Sequence, residues 1–180
     1  KLFRHPLCHW GETPDKLVRV NAHITVRGLT PVDVTSWAYE WTWNRAYRNA
    51  LDVQDDAALT FIKSSFLDFA VSQLRYDMAA AENWFGEPVV GITLGHNVPF
   101  FADIASDYFG RLKDAGVTFV ALDDALSGRA QSAVGSVVSK DFLVLHQKLA
   151  AAAGQPIPKV PQDQVAIYAR IVEMAQGQTG

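Results

Sequence analysis

The sequence has little that would fix its fold covalently or hold it in a membrane. It contains one cysteine, Cys8, so no disulfide can form within the chain. No apolar run is long enough to span a bilayer, because charged residues interrupt the longest apolar-rich stretch, 59–85. The formal net charge of −3 gives no electrostatic reason to expect nucleic acid or an anionic membrane as a partner. The hydrophobic content of 49% and the charged content of 19% are ordinary for a soluble globular protein.

The first residues also lack the usual features of an N-terminus. The chain opens on Lys1 without an initiator methionine, and without the basic head, apolar stretch and small-residue cleavage site of a signal peptide. It then enters at once a segment rich in proline, glycine and reactive side chains. We therefore expect a fragment, a processed chain or one half of a two-chain protein.

Strand and helix patterns alternate from the start of the chain. Residues 1–7 and 31–35 are predicted strands. Between them, Thr13 and Pro14 form a helix start, with threonine as N-cap and proline at the first helical position. Apolar residues then recur every three or four positions from 59 to 81, which predicts a long amphipathic helix.

Two further strands continue this alternation. The continuous apolar run 89–94 predicts a parallel strand that is buried on both faces, and 118–122 predicts the next strand. Helices are predicted around 102–115 and 123–126. Alternating strands and helices are typical of α/β folds, so this is the predicted class.

The composition changes after Gly128. Small residues dominate at first, and two helices are predicted around 140–153 and 163–175. We therefore predict two domains, an α/β part at 1–128 and a helical C-terminal extension at 129–180.

An arginine, two histidines and a thiol lie close together after the first predicted strand, where α/β folds place their ligands. Zinc binds histidine and cysteine atoms, so His5, Cys8 and His9 are a candidate metal set, although their spacing matches no closed structural zinc pattern. A cysteine nucleophile with a histidine base is a second interpretation. A loop without chemistry is the third, and the residues alone leave all three open.

Four aromatic residues occur within seven positions, from Trp37 to Trp43. Core packing is one interpretation of this cluster, and a platform that stacks on sugar rings is the other. Glu40 lies inside the cluster and is predicted to be either an ion-pair partner or a poorly solvated acid. His96 follows a predicted strand and a glycine, so it is a candidate proton donor, with a structural role as the alternative.

Taken in order, these segments resemble the polysaccharide deacetylase family (NodB-homology, carbohydrate esterase 4-like). Residues 3–7 are similar to the family's arginine–x–proline–aromatic motif. Residues 34–41 resemble the segment that normally ends in aspartate–tryptophan, and 92–96 resemble the strand that ends in leucine–x–histidine. Residues 110–126 are similar to the family's last helix and strand, so the match covers about residues 1–127.

The resemblance implies the C-terminal portion of an irregular (β/α)7 deacetylase barrel. It also implies a metal-dependent hydrolase that removes acetyl groups from an N- or O-acetylated carbohydrate. The divalent metal, by resemblance zinc, would be held by an aspartate and two histidines. In the family these ligands precede the arginine motif, so they are expected outside this chain, in an upstream segment or a companion polypeptide.

The resemblance also implies a role for individual residues. His96 would be the general acid, and Arg4 and Glu40 would form an ion pair that orients the catalytic base. The remaining family positions would form the oxyanion site and the substrate groove: Leu7 through its backbone N–H, Pro6 and Trp41. Two of these positions depart from the family pattern, because Leu7 replaces an aromatic residue and Glu40 replaces an aspartate.

Two other functions fit the same residues. One is a non-catalytic carbohydrate-binding or assembly module that keeps the aromatic groove. The other is a superfamily relative that hydrolyses small cyclic amides. From the family alone we expect a periplasmic or secreted location, with an acetylated glycan or a small amide as substrate. Because half a closed sheet exposes unpaired strand edges, we also expect that the isolated chain is not a well-behaved monomer.

Overall fold

The computed structural model describes residues 1–156 and 158–177, and it shows a mostly helical chain of mixed α/β character. These described residues include four two-residue strands, β1 (Leu2–Phe3), β2 (Thr30–Pro31), β3 (Ser36–Trp37) and β4 (Thr93–Leu94). The helices are α1 (Pro14–Val26), α2 (Glu40–Asp52), α3 (Asp56–Phe85), α4 (Pro99–Asp114), α5 (Leu122–Leu126), α6 (Arg129–Ser132), α7 (Leu145–Ala152) and α8 (Val165–Ala175). Two short 3-10 turns cover Pro6–Cys8 and Gln162–Gln164. Among the described residues, no helix combines the length and the apolar character that crossing a membrane requires.

The chain forms two compact units, each built from separate stretches of sequence. The first unit comprises Lys1–Ser36, Asp77–Thr93 and Val120–Lys159. The second comprises Trp37–Tyr76, Leu94–Phe119 and the segment from Val160 onward.

The first unit begins with a strand–helix–strand element. The parallel strands β1 and β2 pair in the register Leu2 with Thr30 and Phe3 with Pro31. The predicted start of α1 is confirmed, since the Thr13 hydroxyl accepts a hydrogen bond from the Lys16 N–H at 3.3 Å. A small apolar core packs nearby in this unit, and its buried members are Trp10, Ala130, Leu145 and Leu149.

The second unit has the larger apolar core, to which α2, α3, α4 and α8 contribute. The three-and-four spacing predicted for the long helix is confirmed, because Ile62, Phe66 and Phe69 are fully buried. Trp43 packs against Phe69 with ring centroids 4.5 Å apart and an interplanar angle of 45°. Helices α2 and α4 are also linked by the Asn44 side chain, which accepts a hydrogen bond from the Phe100 N–H at 3.3 Å.

Three predictions about strands were wrong, and the first is the run 31–35, in which only Pro31 belongs to a strand. The run 89–94 was expected to be buried on both faces, but only Thr93–Leu94 is a strand and the Val90 side chain is 40% exposed. The run 118–122 forms no strand within the described part of the chain, and Phe119 is 48% exposed. Both runs have strand-forming composition, but a strand also needs a paired neighbour, which the pattern of one segment cannot reveal.

The predicted domain boundary at residue 128 does not coincide with the two units. Residues 129–159 belong to the first unit, whereas the chain from Val160 onward belongs to the second. The division into 1–128 and 129–180 therefore stays a prediction. Ile157 and residues 178–180 of the predicted extension lie outside the described residues.

A buried histidine makes the stability of the first unit depend on pH. Burial lowers the pKa of His146 to about 4, and the Asp77 Oδ1 atom, 3.7 Å from its Nε2, does not offset this desolvation. The unfolded chain, with an ordinary histidine pKa of 6.5, therefore binds more protons between pH 6.5 and 4. The free energy of unfolding should fall as the pH is lowered through this window, by about 2 kcal/mol between pH 7.5 and pH 5.

Urea titrations at several pH values would measure this loss. The His146→Gln variant should lose less stability on acidification than the unaltered chain, because the glutamine does not titrate. His23→Gln is the matched control, since His23 is exposed on α1. If the two variants showed equal pH dependence, His146 would not be the group responsible.

Candidate functional site

Glu40 is the first residue of α2 and the most deeply buried of the predicted site residues. Its side chain is only 2% exposed. Tyr39, which precedes it as N-cap, has the left-handed backbone angles φ 55° and ψ 29°. A carboxylate in the first helical turn is favoured by the helix dipole. Left-handed backbone is costly for a tyrosine, and such strain is concentrated at functional sites.

Within the described part of the second unit, two N–H donors and one ring nitrogen surround the Glu40 carboxylate. The His96 backbone N–H donates to Oε1 at 2.8 Å, and the His96 ring contacts the same oxygen through Nδ1. The Trp37 indole N–H donates to Oε2 at 2.5 Å. Both carboxylate oxygens therefore have hydrogen-bonding partners, which offsets the cost of burying these polar atoms.

His96 lies between β4 and α4 and is more accessible than its partner, with 36% of its side chain exposed. Two indoles flank its ring. The Trp41 centroid is 5.6 Å away at an interplanar angle of 63°, and the Trp37 centroid is 6.2 Å away at 67°. Trp41 is itself 50% exposed, so this part of the surface presents an indole beside an imidazole.

The other predicted site residues, Arg4, Pro6 and Leu7, belong to the first unit and are exposed. Leu7 has the left-handed angles φ 51° and ψ 23°, and Cys8 follows with φ 58°. The predicted pairing of Arg4 with Glu40 stays a prediction, and the contact that the structure shows for Glu40 is with His96.

A buried polar cluster in the first unit was missed by the sequence analysis. The Asp33 carboxylate contacts the Lys148 ammonium and accepts a hydrogen bond from the Trp10 indole at 2.7 Å. The Lys148 Nζ also lies 4.6 Å from the centre of the Trp10 ring. The Asp33 backbone also makes two hydrogen bonds with the Gln131 side chain. Its N–H donates to Oε1 at 3.1 Å, and its carbonyl accepts from Nε2 at 3.0 Å. A signal for the lysine was present, since Lys148 follows Leu145 by three positions and so shares its helix face.

His5 and Cys8 are buried beside this cluster. Desolvation lowers the pKa of His5 and raises the pKa of the Cys8 thiol, and the Asp33 carboxylate reinforces the second shift. A raised thiol pKa is unfavourable for a nucleophile, so the predicted alternative of a cysteine nucleophile loses support. No group of three or more metal-ligating side chains occurs among residues 1–156 and 158–177, which leaves His5, Cys8 and His9 without the geometry of a metal site.

Comparison with family models, with curated proteins and with solved structures gave no match in any of the three.

Proposed function

We propose that this chain is part of a metal-dependent hydrolase that removes acetyl groups from an N- or O-acetylated carbohydrate. The observation that carries the proposal is the contact between the buried Glu40 carboxylate and the His96 ring. A carboxylate that accepts a hydrogen bond from one ring nitrogen of a histidine fixes the tautomer and the orientation of the ring. This arrangement suits a histidine that donates a proton to a leaving group.

In the proposed reaction, His96 is the general acid. Its Nδ1 faces Glu40, so Nε2 is the ring nitrogen that can give its proton to the departing sugar amine or alkoxide. Hydrolysis of the acetyl group consumes one water and yields acetate and the protonated sugar product. Glu40 acts through His96 and is a positioning residue, because it holds the ring and compensates the charge of the imidazolium.

In this proposal the ligands of the metal lie outside the described residues. A bound divalent ion would polarise the acyl carbonyl and activate a water, and zinc is the metal that the family resemblance suggests. The described side chains contain no group of three potential metal ligands. An upstream segment or a companion polypeptide would provide the ligands.

The first unit supports the proposal in two ways. The parallel β1–α1–β2 element is the repeating element of α/β barrels, which is consistent with part of an irregular (β/α)7 barrel. Leu7 has left-handed backbone angles and is exposed, which is compatible with a backbone N–H that donates to an oxyanion. Arg4 and Pro6 are exposed at either side of His5 and are accessible to a substrate.

The direct test is acetate release. The chain would be combined with the polypeptide that carries the metal ligands, loaded with zinc and incubated with N-acetylated chitooligosaccharides. We expect acetate and free amine in equal amounts, and we expect the activity to stop when the metal is chelated. Failure to release acetate from any N- or O-acetylated glycan under these conditions would contradict the proposal.

A second candidate function is glycan binding without chemistry, which the exposure of Trp41 favours. An exposed indole can stack on the apolar face of a pyranose ring. The Trp41→Ala variant should weaken binding of chitooligosaccharides by about tenfold or more in calorimetry, whichever of the two functions is correct. Trp84→Ala is the control, because Trp84 is also partly exposed, at 37%, but lies at the end of α3. Saturable binding with no acetate release would identify the non-catalytic function, and equal loss in both variants would exclude Trp41 as the platform.

A further inference from the structure

The Glu40 carboxylate is held from two directions, and only one of them is His96. The His96 backbone N–H and ring both use Oε1, whereas the Trp37 indole N–H uses Oε2. Trp37 is three residues before Glu40 and lies in β3, so its indole reaches the carboxylate from the segment that leads into α2. A carboxylate that is hydrogen-bonded through one oxygen can still rotate about the Cγ–Cδ bond. A donor on the second oxygen removes this freedom.

We propose that Trp37 is a positioning residue, whose indole N–H fixes the plane of the Glu40 carboxylate and so determines which nitrogen of His96 carries the proton. The contacts that carry this inference are the bond at 2.5 Å to Oε2 and the burial of Glu40, which keeps water from replacing the indole as donor. The role of Trp37 in catalysis rests on the proposed function. Its effect on the His96 tautomer does not, because this tautomer can be measured without substrate or metal.

The aromatic cluster offers a matched comparison. Trp37 and Trp41 both pack edge-on against the His96 ring, with centroids 6.2 and 5.6 Å away. The indole N–H that donates to the Glu40 carboxylate is that of Trp37. If ring packing alone held His96, replacing either indole by phenylalanine would have similar effects. If the N–H of Trp37 matters, only its replacement should change the proton position on His96.

The experiment is ¹⁵N NMR of the His96 imidazole at a pH where the ring is neutral. In the unaltered chain we expect the proton on Nδ1, facing Glu40. In Trp37→Phe the carboxylate can rotate away from Nδ1, and the ratio of the Nδ1–H to the Nε2–H tautomer should fall by about tenfold, as expected when the Nδ1–H loses its hydrogen bond to a charged group. In Trp41→Phe the ratio should stay near that of the unaltered chain. An unchanged ratio in Trp37→Phe, or equal changes in both variants, would overturn the inference.

A second measurement needs no variant, in case Trp37→Phe does not fold. The indole N–H of Trp37 should exchange with solvent at least about tenfold more slowly than that of Trp41, because it is engaged with a buried carboxylate. Equal exchange rates would overturn the inference as well. Neither measurement involves acetate release, so a failure here is distinct from a failure of the proposed hydrolase function.

Discussion

Replacing His96 by alanine should lower the rate of acetate release by about 10² to 10⁴, the contribution that a positioned proton donor makes to catalysis. The reason lies in the contact with Glu40, which directs Nδ1 toward the carboxylate and leaves Nε2 for the leaving group. Alanine removes the donor but not the aromatic surface beside it, so glycan affinity should change little. The variant should therefore have a lower kcat and a nearly unchanged KM.

The assay is release of acetate from chitooligosaccharides by the zinc-loaded protein that includes this chain. His23→Ala is the matched control, because it removes a histidine that is exposed on α1 in the first unit. The leaving group offers a second check. Sugar esters with leaving groups that depart without protonation should be hydrolysed by His96→Ala at a rate closer to that of the unaltered protein. Unchanged turnover of the N-acetylated substrate in His96→Ala would contradict the assignment of this residue.

The helices were the part of the fold that the sequence could predict, because each depends on signals within a few residues. Thr13 and Pro14 mark the start of α1, and the buried positions Ile62, Phe66 and Phe69 follow the three-and-four spacing of α3. These interactions are local, so the pattern of one segment is sufficient. The runs 89–94 and 118–122 show the opposite case. Their composition favours strands, but whether a strand forms depends on a partner that is distant in sequence.

The same distinction applies to the candidate site. Glu40 and His96 were singled out because each lies in a suggestive local segment, yet nothing local indicates that they meet across 56 positions. The predicted pairing of Glu40 with Arg4 stays a prediction, and the contact of Glu40 with His96 was not predicted. The donor role of Trp37 was missed for a related reason, since an indole in an aromatic-rich segment predicts either packing or stacking equally well. Only the three-dimensional arrangement shows that its N–H is directed at a carboxylate.

Replacing Lys148 by methionine should destabilise the chain by about 3–5 kcal/mol, because it leaves the Asp33 carboxylate buried without its cation. The Lys148 side chain is fully buried and that of Asp33 is 2% exposed, so solvent cannot compensate the charge. Burial lowers the pKa of Lys148, while the Asp33 carboxylate opposes this shift. Urea unfolding of Lys148→Met at pH 7.5 measures the loss. The exposed pair of Lys16 and Glu12 is the control, and Lys16→Met should leave stability nearly unchanged.

The double variant separates the charge from the packing. In Asp33→Asn with Lys148→Met, the amide oxygen of the asparagine can still accept the bond from the Trp10 indole, and no unpaired charge remains. We therefore expect the double variant to recover at least half of the stability that Lys148→Met loses, which is about 2 kcal/mol, and the coupling energy of the cycle should exceed this recovery by the cost of Asp33→Asn alone. Additive losses would show that the lysine stabilises the first unit through its aliphatic packing against Trp10 rather than through its charge. Recovery would show that the buried ion pair contributes little net stability, and that its cost arises when one partner is removed.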